Sequence, residues 1–216
     1  MILNNITVLC FFASLLRLIV GSFLNACIYR LPREESVIKP LSHCGSCNTG
    51  LQALDLIPVL SYVILRGKCR YCGAKVSPRY PFVELLTAFI FVILFYRYSL
   101  SVEFFAAAYL VSILIAVFFI DIEHRIIPDQ LVVAGLAGGV LLVVYNIFYP
   151  VHIYGGDRSW WNPLVGMLIG SGFLFLVAIV GSLIYKTDDA MGMGDVKIFA
   201  PIGIFLGWKL TIEALL

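Results

Sequence analysis

Apolar residues fall into long runs separated by short polar connections. An apolar run of about 17–25 residues is long enough to cross the hydrocarbon core of a bilayer as a helix. Six runs approach or meet that length, at residues 5–28, 82–97, 103–121, 130–149, 163–185 and 197–216. Because 61% of the 216 residues are also hydrophobic, the sequence predicts an all-α polytopic membrane protein with about six transmembrane helices.

One polar segment, rich in Gly, Pro, Cys and Arg, separates the first two runs. We therefore predict a first transmembrane helix at 1–29, a small extramembrane insertion at 30–81 and a membrane-embedded core at 82–216. The insertion holds eight of the fifteen Lys and Arg residues, and loops rich in these residues stay in the cytoplasm. The insertion is expected to be cytoplasmic, and alternating spans then place 121–129 and 186–196 on the same side.

Four of the six cysteines lie in this insertion as two C-x-x-C pairs, Cys44 with Cys47 and Cys69 with Cys72. Two residues between the thiols let both sulfurs of a pair face one tetrahedral metal ion. The pairs are 21 residues apart, close to the spacing of zinc ribbons. We predict a structural zinc site at these four cysteines. A thiol–disulfide redox role stays open, although a cytoplasmic location disfavours stable disulfides.

The residues around the two cysteine pairs suggest how the thiols are held. Gly45 and Gly73 are expected to permit the tight turn that each pair needs. Lys68 and Arg70 are expected to lower the pKa of the neighbouring thiols and so to favour the thiolate form that binds metal.

Two aspartates stand at the edges of apolar runs. Asp121 ends the third run, and Asp195 closes the sequence Gly192-Met193-Gly194-Asp195 at the head of the last run. An acid at the edge of the hydrocarbon region is costly, and a functional role is the default interpretation. Two carboxyl groups brought together by folding would share one proton. The ionised group could then activate water while the protonated group polarises a carbonyl. The pair favours an aspartyl-type endopeptidase.

Neighbouring residues have simpler expected roles. Gly192 and Gly194 are expected to bend the chain at the head of the last span. Asp129 is expected to cap the next span, and Glu123 to face solvent or to support Asp121. His124 is expected to be an interfacial hydrogen-bonding residue.

Other function classes remain to be weighed. No basic stripe interleaved with aromatic residues supports nucleic-acid binding, and no Walker-type phosphate loop is present. Two alternatives to a peptidase stay open: a non-catalytic, zinc-dependent membrane assembly protein, and a thiol–disulfide membrane oxidoreductase.

The chain resembles the type IV prepilin leader peptidases, bifunctional membrane enzymes of pilus and type II secretion systems and members of the GxGD membrane aspartic proteases. The resemblance covers nearly the whole chain. Besides both cysteine pairs, Asp121 and the glycine motif at Asp195, it rests on residues 21–25, 29–32, 57–62, 65–70, 77–81 and 84.

This resemblance implies that Asp121 and Asp195 are the catalytic aspartates. It also implies that prepilins or pseudopilins are cut at the cytoplasmic face of the bacterial inner membrane, after a short basic leader. Many members then methylate the new N-terminus with S-adenosylmethionine, an activity tied to the cysteine-rich domain. No residue of this chain is assigned to the methyl donor. The basic insertion is expected to lie near anionic lipid headgroups.

Overall fold

The computed structural model describes residues 19–39, 41–156, 158–185 and 192–216. The described helices are α1 (19–30), α2 (Leu60–Ile64), α3 (Arg79–Tyr98), α4 (Val102–His124), α5 (Asp129–Phe148), α6 (Trp161–Tyr185) and α7 (Met193–Leu215). Short 3₁₀ turns follow at Leu31–Arg33, Ala53–Leu56 and His152–Tyr154. These residues contain no β-strand, only two isolated bridges beside the cysteine pairs, so the predicted all-α class is confirmed.

Five helices, α3 to α7, are long and apolar enough to cross a membrane within the described part of the chain. They correspond to five of the six predicted spans. Much of the first predicted span lies outside the described residues, and its end forms α1. The sixth predicted span begins a few residues late, because α7 already starts at Met193 and includes Asp195. The protein is therefore a multi-pass membrane protein.

Neighbouring helices in the chain run in opposite directions. One set of helix ends therefore lies beside the cysteine-rich segment between α1 and α3. The rings of Phe82 in α3 and Phe119 in α4 meet edge to face at 6.1 Å. The first turns of α3 therefore lie against the last turns of α4. Lys197 in α7 pairs with Asp129 in α5 at 2.9 Å, which places the starts of α5 and α7 side by side. We call this the cysteine end of the bundle, and the opposite one the far end.

Helix α4 is the most buried of the five membrane-capable helices, and α6 is the least buried. The main apolar core lies along α4, where Ile113, Ala116 and Ile120 pack with residues of α1, α3, α5 and α7. Helix α6 packs closely against α7. A Cβ on Gly166 would overlap the backbone of Gly203, so the two helices cross at contact distance. Small residues permit such close crossings of membrane helices.

Helix α7 is broken near the far end, where Gly207 has a φ of 72°. Side chains bond to backbone groups on both sides of the break: Asn162 Oδ1 accepts from the Trp208 N–H at 3.2 Å, and the Tyr154 hydroxyl donates to the Ile204 carbonyl at 2.7 Å. Non-helical backbone at membrane depth needs such partners, because lipid offers none.

Neither glycine of the pair before Asp195 has a positive φ. Gly192 has an ordinary extended conformation as the N-cap, and Gly194 lies within α7. What Gly194 provides is close packing: a Cβ there would lie 3.1 Å from the Ile127 side chain. The positive φ that glycine permits is found at Gly207 instead.

The crossing of α6 and α7 can be tested with two glycines of the same helix. Gly166→Ala should lower the unfolding midpoint in detergent, because the added methyl group meets the α7 backbone; overpacking of this kind costs about 1–3 kcal/mol. Gly172 has open space around its Cβ position. Gly172→Ala should therefore be neutral or slightly stabilising, as expected from helix propensity alone. Equal midpoints for the two variants would contradict the close crossing.

Candidate active site and metal centre

The thiols of Cys44, Cys47, Cys69 and Cys72 form one cluster. Their sulfur atoms all lie within 4.8 Å of one another, and those of Cys44 and Cys72 are 3.9 Å apart. Four sulfurs around a zinc ion at about 2.3 Å lie about 3.8 Å apart in a tetrahedron. The four predicted ligands are therefore brought together, and they can hold one metal ion.

The two cysteine pairs have the same backbone fold. In each, the N–H of the first cysteine donates to the carbonyl five residues later, at 2.9 Å for Cys44 and 2.8 Å for Cys69. The N–H four residues on, at Asn48 or Gly73, donates back to the carbonyl of the first cysteine. Both of these residues have a positive φ, of 53° and 72°. The predicted turn role is thus confirmed for Gly73 but wrong for Gly45, since Asn48 takes that conformation.

Hydrogen bonds within the pairs, rather than nearby cations, prepare the thiols for metal. Backbone N–H groups inside each pair hold the pKa of Cys44 and Cys69 below the ordinary value for a thiol. A backbone hydrogen bond also lowers the pKa of Cys72, but desolvation and the three neighbouring thiols raise it to about 11. Lys68 and Arg70 are not among the causes for any of these three thiols, contrary to the prediction.

Arg70 instead binds Asp55, a residue to which the sequence analysis assigned no role. The Arg70 Nε donates to Asp55 Oδ1 at 2.6 Å, and the Tyr71 hydroxyl donates to Oδ2 at 3.1 Å. Desolvation raises the pKa of Asp55. Hydrogen bonds from Arg70, the Gln52 N–H and Tyr71 lower it by more, so the pKa of Asp55 lies below its usual value. The ionised carboxylate thus fastens the second cysteine pair to the turn at Ala53–Leu56.

The two candidate catalytic aspartates lie at the same end of the bundle. Asp121 is in the last turn of α4, which Arg125 ends with a left-handed conformation. Asp195 is in the first turn of α7. The connection between α4 and α5 joins the two places, because Ile127 packs against Gly194. Both aspartates are exposed, and no hydrogen bond links their carboxyl groups within the described residues.

Two acids next to these aspartates are already paired. Glu123 forms an ion pair with Arg79 at the start of α3. Asp129, predicted to cap α5, makes no capping hydrogen bond and binds Lys197. Sequence reasoning missed both pairs because the partners are 44 and 68 positions apart. Asp188 and Asp189, other acids of this region, lie outside the described residues.

Asp121 and Asp195 differ from the other acids of the helices at the cysteine end. Glu84 accepts a hydrogen bond from the Val59 N–H at 2.8 Å, and Glu123 and Asp129 have their cations. No described residue donates a hydrogen bond to the side chain of either aspartate. These two carboxyl groups are therefore free to bind water or substrate.

A cavity of about 330 Å³ lies between the cysteine-rich segment and the membrane helices. Its walls come from α1, from both cysteine pairs, from α2 and from the first turns of α3. That volume falls within the range of small-molecule sites. Two polar residues line this cavity, Asn25 of α1 and Glu84 of α3.

The fold and the site together define a multi-pass α-helical membrane protein with two unengaged acids and a four-cysteine cluster at one end. Comparison with known families matches the same two regions. Residues 15–98 match the Bacterial Peptidase A24 N-terminal domain, and residues 108–216 match the Type IV leader peptidase family. The chain belongs to the type IV leader peptidase family.

Curated relatives agree with this assignment. The chain is 36% identical to the prepilin leader peptidase/N-methyltransferase of Myxococcus xanthus, over 95% of this chain and 58% of the relative. It is 36% identical to the protein of that name in Bacillus subtilis, over 91% of this chain and 73% of the relative. For Dichelobacter nodosus the identity is 34%, over 94% and 77%. The chain thus spans just over half of the first relative. No solved structure matches it.

The Arg79–Glu123 pair should contribute more to stability than the Lys197–Asp129 pair at the same end. Arg79 and Glu123 are 13% and 37% exposed, whereas Lys197 and Asp129 are 48% and 70% exposed. Exposed pairs contribute about 0–1 kcal/mol. Double-mutant cycles with alanine, measured by unfolding in detergent, should give a clearly larger coupling energy for the first pair. Equal coupling energies would contradict a specific link between α3 and α4.

Proposed function

We propose that this protein is a membrane aspartic endopeptidase that removes the basic leader from type IV prepilins or pseudopilins, with Asp121 and Asp195 as its catalytic residues. One observation carries the proposal. Among the described acids in the helices at the cysteine end, these two lack a partner, and they lie on helices joined by the Ile127–Gly194 contact. The names of the relatives supply the substrate class.

The chemistry follows from two carboxyl groups at one site. Two carboxyl groups that are brought close together cannot both ionise easily, and such a pair shares one proton. The ionised carboxylate takes a proton from water as the oxygen attacks the scissile carbonyl carbon. The protonated carboxyl donates its hydrogen to the carbonyl oxygen. Collapse of the tetrahedral intermediate breaks the C–N bond, the amine leaves with a proton, and no acyl-enzyme forms. In the free enzyme such groups often stand apart and close on substrate.

The charge distribution supports cleavage on the cytoplasmic side of the inner membrane. Residues 30–81, which comprise the cysteine-rich segment and the helix ends that flank it, contain eight of the fifteen Lys and Arg residues, and such segments remain cytoplasmic. Since Asp121 and Asp195 lie at the cysteine end, they would face the same side. The free N-terminal leader of a prepilin, which is basic by family resemblance, would be available there.

Zinc is the ion that we assign to the four-cysteine cluster. Four thiolates in a tetrahedral arrangement are typical of structural zinc. The cysteine-rich segment has little apolar core to replace it: Cys69 is its one buried residue among those described, and Leu41 is 85% exposed. A segment of this size needs a cross-link, such as a bound metal ion, to hold a stable fold. The same cluster argues against a redox role, since all four thiols fit one ion.

We also assign N-methyl transfer to the protein, with S-adenosylmethionine as methyl donor. The support is the name of the relatives and the cavity beside the cysteine pairs. The donor, when bound, supplies an electrophilic methyl group. The chain would have to hold that donor and the amine that cleavage exposes.

Replacing either catalytic aspartate should abolish peptidase turnover while leaving the fold intact. Asp121→Asn and Asp195→Asn should each lower cleavage of a prepilin-like peptide in detergent by about 10²–10⁴-fold, because neither amide can exchange the shared proton. Asp129→Asn is the matched control. Asp129 lies at the same end, but Lys197 already holds it, so its loss should leave turnover near that of the wild type. Folded aspartate variants with full turnover would refute the mechanism.

Loss of a cysteine ligand should release zinc and destabilise the protein. Purified wild type should contain about one zinc ion per chain by elemental analysis, and Cys47→Ser or Cys72→Ser should lower that content and the unfolding midpoint. Cys27→Ala is the control, because Cys27 is buried in α1 outside the cluster; it should keep its zinc. Stoichiometric zinc in the serine variants, or none in the wild type, would contradict this site.

A further inference from the structure

The cavity at the cysteine end has two polar side chains in its wall at a close crossing of α1 and α3. A Cβ on Gly21 would lie 3.1 Å from the Cα of Glu84, so the helices nearly touch there. One turn further along α1, Asn25 Nδ2 donates to the Tyr80 carbonyl at 3.0 Å. Gly21 and Asn25 share one face of α1, as Tyr80 and Glu84 share one face of α3. The Asn25 and Glu84 side chains are therefore neighbours in the wall of the cavity.

The two side chains offer oxygen atoms to a ligand in the cavity. Asn25 is 3% exposed, and its Oδ1 is buried without a hydrogen-bond partner. The Glu84 carboxylate accepts hydrogen bonds from the Val59 N–H, at 2.8 Å to Oε2, and from the Asn25 side chain, but no cation pairs with it among the described residues. A buried acceptor without a donor, such as Asn25 Oδ1, is unfavourable and requires an explanation. An amide oxygen beside a carboxylate suits a ligand with positive charge and hydrogen-bond donors.

Four basic residues also line the cavity, Arg30, Lys68, Arg70 and Lys75, and none of them forms an ion pair with Glu84. Arg70 is held by Asp55 at 2.6 Å. Arg30 reaches the carbonyl of Ser36, its Nη1 donating at 3.0 Å. No ion pair joins Glu84 to a cation among the described residues.

We propose that Glu84 and Asn25 form a binding site for an onium cation in this cavity. The inference rests on the proposed function, which provides two such cations: the ammonium at the new N-terminus of the cleaved substrate and the sulfonium of S-adenosylmethionine. Both carry a positive charge that the Glu84 carboxylate would stabilise. In this role Glu84 and Asn25 are binding residues for methyl transfer, and they take no part in peptide cleavage.

The position of the site suits transfer from one reaction to the other. Phe82 and Phe119 pack edge to face, and Arg79 pairs with Glu123. The first turns of α3, which carry Glu84, therefore lie against the last turn of α4, which carries Asp121. An amine released at the aspartates would reach the cavity without leaving the cysteine end.

The variant Glu84→Gln separates charge from structure. Glu84 also fixes the Val59 N–H at the start of α2, where Val59 has a strained φ of 60°. The amide oxygen of glutamine can accept that same hydrogen bond, so the substitution removes the charge and keeps the contact. Asn25→Ala removes the unpartnered amide oxygen and keeps the charge of Glu84.

The test measures binding to the purified full chain in detergent by calorimetry, with two matched pairs of probes. One pair is a mature-type pilin peptide with a free N-terminus and its N-acetylated form. The other is S-adenosylmethionine and the uncharged S-adenosylhomocysteine. Wild type should prefer the charged member of at least one pair by about tenfold or more, equivalent to about 1.4 kcal/mol. Glu84→Gln should lose that preference, and Asn25→Ala should weaken it. Glu103→Gln, an acid at the far end, should behave as wild type.

Each outcome decides the proposal. Loss of the peptide preference in Glu84→Gln assigns the site to the acceptor amine, and loss of the nucleoside preference assigns it to the donor; both support it. A wild type that prefers neither charged probe, or a preference that survives in folded Glu84→Gln, overturns it. If Glu84→Gln does not fold, an unchanged preference in folded Asn25→Ala overturns it. Peptide cleavage by the wild type, measured separately, tests the peptidase proposal independently of these results.

Discussion

A polar group at the edge of a bilayer must find a partner in the protein or face water, because hydrocarbon offers neither hydrogen bonds nor counter-ions. This constraint organises the cysteine end. Glu123 has Arg79, Asp129 has Lys197 and Glu84 has the Val59 N–H. These contacts also join α3 to α4, α5 to α7, and α3 to the cysteine-rich segment. The same requirement is met at the far end, where Asn162 and Tyr154 satisfy backbone groups around the break in α7.

Polar groups that have no partner within the protein are therefore the candidates for function. Asp121 and Asp195 are exposed and unengaged at the ends of two packed helices, where the surrounding contacts fix the backbone but leave the carboxyl groups free. The cysteine thiols are a second case. The segment around them has almost no buried residue, so its conformation depends on short backbone hydrogen bonds, on the Asp55–Arg70 pair and on whatever ion the four sulfurs hold.

The sequence predicted the features that depend on local pattern. Runs of apolar residues located five described spans, and C-x-x-C spacing located the four clustered cysteines, because each depends on residues close together in the chain. It did not predict features that depend on which helix faces come together. The Arg79–Glu123 and Lys197–Asp129 pairs join distant positions. The roles of individual glycines also depend on contacts between distant residues. The positive φ of Gly207 is supported by Asn162 on another helix, and Gly194 allows close packing against Ile127.

The arrangement also bears on why a peptidase and a methyltransferase would occupy one chain. Hydrolysis at Asp121 and Asp195 would expose an amine at the cysteine end of the bundle. A second active site for that amine would then lie at the same membrane face. The cavity meets this requirement, because the first turns of α3 place Arg79 beside the last turn of α4 and Glu84 in the cavity wall. The cysteine-rich segment closes the cavity from outside the membrane, so a metal ion held by its four cysteines would also hold the wall of that second site.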